Sequence, residues 1–177
     1  MLDTIFEIVL AACGMIQGGG RVPLITMTQG TPKQQLDGFI KRFTPEIARL
    51  IKASLASLRR KLPGATELVY DNFNALVIGF GPTERASEAI FSIAAYPNWL
   101  NLFFLQGARL KDPTKSLKGA GSRVRHIRVD TPAVFDQPAV KALIAQAMAA
   151  APLPINPTAK RALIIKSISP RQRSRRP

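Results

Sequence analysis

A glycine turn followed by alternating cations is the part of this chain whose residue types most clearly suggest chemistry. Gly119 and Gly121 are followed by Arg123, Arg125 and His126. Glycine allows backbone N–H groups to turn towards an anion such as phosphate, and alternate residues of a strand project from the same face of a sheet. The spacing therefore predicts a small anion-binding cradle, with Arg123 and Arg125 on one face of a strand and His126 on the other.

A structural interpretation of the same residues is favoured over the cradle. A turn that requires a positive φ selects glycine, and charged side chains on an edge strand prevent it from pairing with another chain. No P-loop or dinucleotide-binding fingerprint surrounds Gly119. Both interpretations predict that residues 119–126 form a turn that enters a strand.

Carboxylates suggest a second kind of chemistry. Glu67, Tyr70 and Asp71 lie at a predicted hairpin, where they could face a cleft, since loops often carry functional residues. Glu67 with Asp71, and Glu84 with Glu88, could supply oxygen ligands to a hard cation, but neither pair has the ligand density of a dedicated metal-binding loop. We therefore predict no metal site and no cofactor.

No arrangement for covalent or acid–base catalysis is recognisable in the sequence. His126 is the single histidine, and no Ser, Cys or acidic residue lies at a spacing typical of a catalytic pair. A partly buried, hydrogen-bonded histidine is the favoured interpretation. We expect a protein that binds rather than catalyses, with an enzyme of unrecognised type centred on Tyr70, Asp71 and His126 as an alternative.

Aromatic residues around the predicted fourth strand could form a stacking platform for nucleobases. They are Tyr96, Trp99, Phe103 and Phe104. Their apolar neighbours favour positions in the core, where the aromatic residues of strands usually pack.

The formal net charge of +14 is concentrated in two segments of the 177-residue chain. Seven cations lie from Arg109 to Arg128 against one acid, Asp112, and seven more lie from Lys160 to Arg176 with no acid. Such a positive field favours anionic partners such as nucleic acid, phosphorylated ligands or an anionic surface. The arginines near the C-terminus would bind any polyanion without reading its sequence.

Residues 1–30 are predicted to be a leader that is disordered or not part of the native protein, with Met27 as the favoured start. Leu10–Cys13 has the shape of a lipoprotein cleavage site but lacks the preceding basic residues of such a signal. The apolar run Ile5–Ile16 is shorter than the roughly 20 residues of a membrane span. A single cysteine also fits a reducing compartment, so we expect a cytoplasmic protein.

Periodicity predicts two helices, a sheet and a third helix. Thr31-Pro32 and Thr44-Pro45 are typical helix starts, and Pro63-Gly64 ends the second helix before the pattern changes to that of strands. The five predicted strands are Glu67–Tyr70, Ala75–Phe80, Ala89–Tyr96, Leu100–Leu105 and Val124–Val129. A third helix follows Pro138, and Ala162–Ile168 is either a short added strand or a docking segment. The order predicts an α+β fold with a mostly antiparallel sheet.

These elements divide the chain after the leader into two parts. Residues 31–157 are predicted to form the domain, and residues 158–177 a basic tail. The last part of the tail, residues 169–177, has no apolar anchor and is predicted to be disordered.

A set of motifs in residues 36–151 occurs in a characteristic order. They are Leu36–Ile40, Tyr70–Phe73, Phe91–Tyr96, Leu102–Phe104 and Leu117–Gly121 leading to Arg125-His126. On these motifs the chain resembles the YdhG-like domain, a bacterial family of unknown function whose overall fold is similar to that of frataxin-like proteins. Ile164–Arg173 is also similar to the tails of some members. The resemblance implies a compact sheet backed by helices.

Through frataxin-like proteins, the resemblance also implies iron handling by acidic side chains, here such as Glu67 and Asp71. The chain has eleven acidic residues, and they form no acidic ridge on the first helix. The favoured hypothesis is therefore a non-enzymatic domain that binds an anionic ligand or partner through residues 119–128. A frataxin-like iron-binding protein and an unrecognised enzyme are the alternatives.

Overall fold

The structure is a computed structural model and describes residues 30–177. The predictions about the leader, including those for Cys13 and Met27, concern residues outside this range. No helix within the described residues has the length and apolar character needed to cross a membrane.

The α-helices begin at residues that the sequence marks as starts. Helix α1 (Pro32–Lys41) is capped by Thr31, whose hydroxyl accepts from the Gln34 backbone N–H while the Gln34 side chain accepts from the Thr31 N–H. This capping box satisfies two backbone donors that a helix start otherwise leaves unpaired. Helix α2 (Pro45–Lys61) begins with the same Thr-Pro pair, and α3 (Pro138–Ala149) begins at a proline.

Within residues 30–177, six strands form one mixed sheet in the order β5-β4-β3-β2-β1-β6. The strands are β1 (Thr66–Asp71), β2 (Leu76–Gly81), β3 (Phe91–Ala95), β4 (Leu100–Phe104), β5 (Arg125–Val129) and β6 (Leu163–Ile168). Strands β1 to β5 form an antiparallel meander, and β6 lies parallel to β1 at the edge. Three 3₁₀ turns, at Ala86–Glu88, Gly107–Arg109 and Pro132–Asp136, lie between these elements.

The α+β class is confirmed, and the strand count is corrected from about five to six. The added strand is β6, which lies in the segment Ala162–Ile168 that the sequence predicted to be either a short strand or a docking segment. Every residue of β1 is buried, so β1 is an interior strand that requires a neighbour on each side. Leu163, Ile164 and Ile165 of β6 supply that neighbour and extend the apolar surface of the sheet.

The sheet has an inner face, which the helices cover, and an opposite outer face. Inner-face side chains pack with helix residues into the main core, which includes Leu36, Ile40, Ile51, Leu58, Val69, Ile78, Phe91, Leu102, Phe104, Val129, Leu143 and Ile144. Leu68, Tyr70, Ala75, Val77, Ala94 and Phe103 form a second cluster on the outer face. Within the described residues, this second cluster contains no residue of the three α-helices.

The C-terminal segment makes defined contacts, which differs from the disorder predicted for residues 169–177. The Ser169 backbone N–H donates to the Asp71 carbonyl at 2.9 Å, and the Arg173 N–H donates to the Phe73 carbonyl at 2.9 Å. Arg175 is only 3% exposed. Composition alone predicts that such a basic segment stays in water, but the buried Asp71 carboxylate of β1 neutralises one of its arginines, Arg175. The folded unit therefore continues past residue 157.

Candidate functional site

The predicted cradle is a turn that leads into the edge strand β5. Lys118 and His126 form a backbone bridge through two hydrogen bonds of 2.8 and 2.9 Å. Gly119, next to this bridge, has a φ of +115°, which strongly favours glycine. Gly121 is exposed, and a Cβ added there would meet nothing within 4 Å. The backbone geometry therefore requires glycine at Gly119 but not at Gly121.

The two arginines of the predicted cradle have different surroundings. Arg125 lies opposite Phe104 in the sheet register, and its guanidinium donates to the carbonyl oxygens of Gly121 and, at 2.9 Å, Val124. Arg125 therefore closes its own turn. Arg123 is exposed and makes no ion pair with any residue of the described part of the chain.

His126 lies on the outer face, between Phe103 of β4 and Lys118 in the sheet register. Its ring centroid is 5.3 Å from that of Phe103, with the rings tilted by 38°. Burial lowers the pKa of His126 below its ordinary value of 6.5, and the positive charge of Lys118 lowers the pKa further. The imidazole is therefore neutral at pH 7, so that one ring nitrogen donates and the other accepts.

The single tryptophan lies on the same face, at the hairpin between β3 and β4. Trp99 stacks on Tyr96 with ring centroids 4.9 Å apart and planes 20° apart, and it is 36% exposed. The Arg128 guanidinium carbon lies 5.9 Å from the centroid of the Trp99 ring. The same guanidinium pairs with Asp130 at 2.9 Å.

The prediction of core positions for the aromatic residues is confirmed for Phe103 and Phe104, which are 3% and 0% exposed, but it is wrong for Trp99. Trp99 directly follows the turn residues Pro97-Asn98. Residues at the end of a hairpin have neighbours on fewer sides than residues in the middle of a strand. The position of Trp99 next to the turn therefore indicates an exposed side chain.

Glu67 of β1 is fully buried and binds two arginines. The guanidinium of Arg59, near the end of α2, donates to both carboxylate oxygens at 2.8 and 2.6 Å. Arg161, just before β6, approaches at 3.7 Å and also donates to the Arg59 carbonyl. Hydrogen bonding to Glu67 raises the pKa of Arg59. This carboxylate therefore joins α2 and the start of β6 to the sheet.

Asp71, at the other end of β1, is the centre of a second buried ionic cluster. Its carboxylate accepts from Arg42 at 2.8 Å and from Arg175 at 3.0 Å, and it also accepts from the Gln172 amide. The Arg175 guanidinium lies 5.6 Å above the ring of Phe43. The cluster thus anchors the C-terminal segment to β1, which the sequence did not predict because the partners are far apart along the chain.

The predicted cleft of Glu67, Tyr70 and Asp71 does not form one site. Glu67 and Asp71 lie on the inner-face side of β1, whereas Tyr70 belongs to the outer-face cluster. His126 lies four strands away from β1, about 19 Å at the usual strand spacing. Within the described residues, no three His, Cys, Asp or Glu side chains are grouped so that they could hold a metal ion.

Comparison with known proteins adds no identification to this geometry. No protein-family model, no curated protein and no solved structure matches the chain. The YdhG-like resemblance stays a hypothesis that rests on the motifs of the sequence.

Proposed function

We propose that this protein is a non-enzymatic, cytoplasmic, YdhG-like protein that binds an anionic ligand or partner at the β5 edge of its sheet. The binding surface is an outer-face patch formed by Trp99, Lys118, His126 and Arg128. One observation carries the proposal: Arg128 lies against the exposed ring of the single tryptophan, and His126 and Lys118 continue the same surface.

The charges of the outer-face patch are available to a ligand. Lys118 is exposed and pairs with no acid among the described residues. Arg128 pairs with Asp130, but both side chains are more than half exposed. An exposed ion pair of this kind contributes only about 0–1 kcal/mol, so a phosphate or carboxylate can replace Asp130 at little cost.

The remaining members of the outer-face patch favour a ligand that combines negative charge with a ring. The neutral His126 offers one donor and one acceptor beside the two cations. Trp99 is 36% exposed, and Tyr96 stacks on one face of its indole, so a base would stack on the opposite face. Stacking of a base on an aromatic side chain contributes about 1–3 kcal/mol, so nucleotides and single-stranded nucleic acid are the anions of first choice.

The two alternatives find less support in the geometry. An iron-binding role would use Glu67 and Asp71, but each of these carboxylates is buried and forms ion pairs with two arginines. A catalytic role would use Tyr70, Asp71 and His126, which lie on opposite faces and on distant strands of the sheet.

The proposal is tested by the emission of Trp99, which is the single tryptophan and therefore reports on this patch alone. Titration of the full chain with a short single-stranded oligonucleotide should change this emission in a saturable way. The Lys118→Ala/Arg128→Ala variant should bind more weakly, and its log–log salt slope should fall by roughly 1.4 because two phosphate contacts are lost.

The matched control is the Lys33→Ala/Lys52→Ala variant, which removes the same charge from exposed positions of α1 and α2. Its affinity and salt slope should stay close to those of the unmodified protein. If the control weakens binding as much as the patch variant, or if Trp99 emission does not respond to the oligonucleotide, the outer-face patch is not the binding surface.

A further inference from the structure

A cavity of about 260 Å³ lies between the end of α3, the segment before β3 and the turn after β4. It contains no residue of the predicted anion-binding cradle or of the predicted cleft, and of the carboxylates considered as cation ligands it contains only Glu88. Its apolar lining is formed by Ala89, Ile90, Leu110, Ala147, Ala151 and Leu153. The volume is just below the roughly 300–1,000 Å³ of ordinary ligand pockets, so the cavity is suited to a small molecule.

Hydrogen bonds between distant segments hold the walls of the cavity in place. Gln146 of α3 accepts from the Lys111 backbone N–H at 2.9 Å and donates to the Lys111 carbonyl at 3.0 Å. On the opposite wall, the Ile90 N–H donates to the Phe80 carbonyl at 2.9 Å, and the Ile90 carbonyl accepts from the Leu105 N–H at 3.1 Å. The cavity is therefore formed before a ligand arrives, which lowers the entropic cost of binding.

The mouth of the cavity carries one compensated charge and one uncompensated charge. The Glu88 carboxylate accepts from the Thr83 hydroxyl and lies 3.6 Å from the Arg85 guanidinium. Arg109 is exposed at the rim and pairs with no acid in the part of the chain that the structure describes. Gln106, also at the rim, makes no side-chain hydrogen bond within the same residues. The free polar side chains in the lining are thus the Arg109 guanidinium, the Gln106 amide and the exposed Ser87 hydroxyl.

We propose that this cavity binds a small amphiphilic carboxylate, with its apolar body against the alanine and leucine side chains and its carboxylate on Arg109. The planar guanidinium matches a carboxylate with two parallel hydrogen bonds, and Gln106 can donate a third. The cavity shares no residue with the outer-face patch, so this site is separate from the proposed function and stands or falls independently of it.

Octanoate is the probe, because it joins a flexible apolar chain to one carboxylate. We expect the full chain to bind octanoate with a dissociation constant of about 1 mM or tighter, as followed by calorimetry and by amide NMR shifts of Ala150 and Ala151. Octan-1-ol, which has the same chain without the charge, should bind at least about tenfold more weakly, since it forms no charge-assisted hydrogen bond.

Two variants locate the binding. Arg109→Gln should weaken octanoate binding about tenfold or more while it leaves octan-1-ol binding unchanged, and it changes an exposed side chain that the fold does not use. Ala150→Phe, at an exposed lining position, should block the mouth for both probes. Lys33→Gln removes the same charge from α1 and should change neither affinity.

Three results would overturn the proposal. The first is the absence of saturable octanoate binding at concentrations up to about 10 mM, because a dissociation constant above this value is weak even for a small ligand. The second is binding that does not depend on the carboxylate, seen either as equal affinity for octanoate and octan-1-ol or as an unchanged octanoate affinity in Arg109→Gln. The third is unchanged binding in Ala150→Phe, because octanoate would then occupy another part of the surface.

Discussion

Asp71 is a carboxylate whose surroundings decide its role. It is 1% exposed and accepts from Arg42, Gln172 and the equally buried Arg175. The transfer of such charges from water costs several kcal/mol per ion, and this cost is recovered only while the partners stay in place. A residue that the sequence suggested for a cleft is therefore a structural anchor.

At this scale we expect Asp71→Asn to lower the free energy of unfolding by about 3 kcal/mol or more, because Arg175 would be left buried without a carboxylate. For a chain of this size that loss corresponds to a fall in melting temperature of roughly 6–12 °C, measurable by calorimetry. The control is Asp136→Asn, since Asp136 is 57% exposed in its pair with Lys61 and its loss should change the melting temperature little. Equal, small losses in both variants would show that the buried cluster does not stabilise the fold.

At the scale of elements, β6 and the segment that follows it act together to cover β1. Strand β6 pairs with β1 along the sheet, and Arg161 and Arg175 pair with the two buried carboxylates of β1 from either end of β6. The C-terminal segment then crosses the end of the β1–β2 hairpin, where the Arg173 backbone N–H donates to Phe73. Removal of this segment therefore takes partners away from a buried ionic cluster and does not merely shorten a tail without contacts.

Truncation after Ile168 should therefore lower the free energy of unfolding by about 3 kcal/mol, because Asp71 loses Arg175 and Gln172 at once. Denaturant unfolding of the two chains measures the difference. The Arg171→Ala/Arg173→Ala variant removes two exposed charges but keeps the anchor, and it should lie within about 0.5 kcal/mol of the unmodified protein. A truncated chain as stable as the full chain would contradict the anchoring role.

At the scale of the whole molecule, two zones of positive charge lie apart on the sheet. The outer-face patch lies at the β5 edge, and the C-terminal segment with its exposed arginines crosses the end of the β1–β2 hairpin. Three to four strand spacings separate β5 from β2 and β1, which corresponds to about 14–19 Å. A long polyanion can contact both zones, whereas a ligand shorter than this separation contacts one.

We therefore expect the effect of removing tail charges on binding to depend on the length of the ligand. The Arg171→Ala/Arg173→Ala variant should leave the Trp99 response to a short oligonucleotide unchanged and weaken the binding of a long one. When it is combined with Lys118→Ala/Arg128→Ala, the losses of binding free energy for the long oligonucleotide should add to within about 0.5 kcal/mol, because the two zones lie more than 10 Å apart. A tail variant that alters the Trp99 response to the short oligonucleotide would show that the zones are not independent.

The sequence by itself determined the elements that depend on neighbouring residues. The Thr31-Pro32 and Thr44-Pro45 helix starts, the Pro63-Gly64 stop and the turn residues Pro97-Asn98 are local signals, and the helices and the antiparallel meander form where these signals predict them. It also determined the turn at Gly119, since a positive φ there requires glycine. Motif order suggested a YdhG-like domain, and that suggestion stays a hypothesis.

Only the tertiary structure decided which charges are satisfied and where a ligand has room. Arg175 pairs with Asp71 across 104 positions of the chain, and Gln146 fixes the cavity wall at Lys111 across 35. A sequence pattern predicts a charged segment to be exposed, because burial of a charge is unfavourable unless a partner of opposite sign is brought to it. Folding supplies such partners from distant segments, and it leaves Arg109 and Lys118 without them.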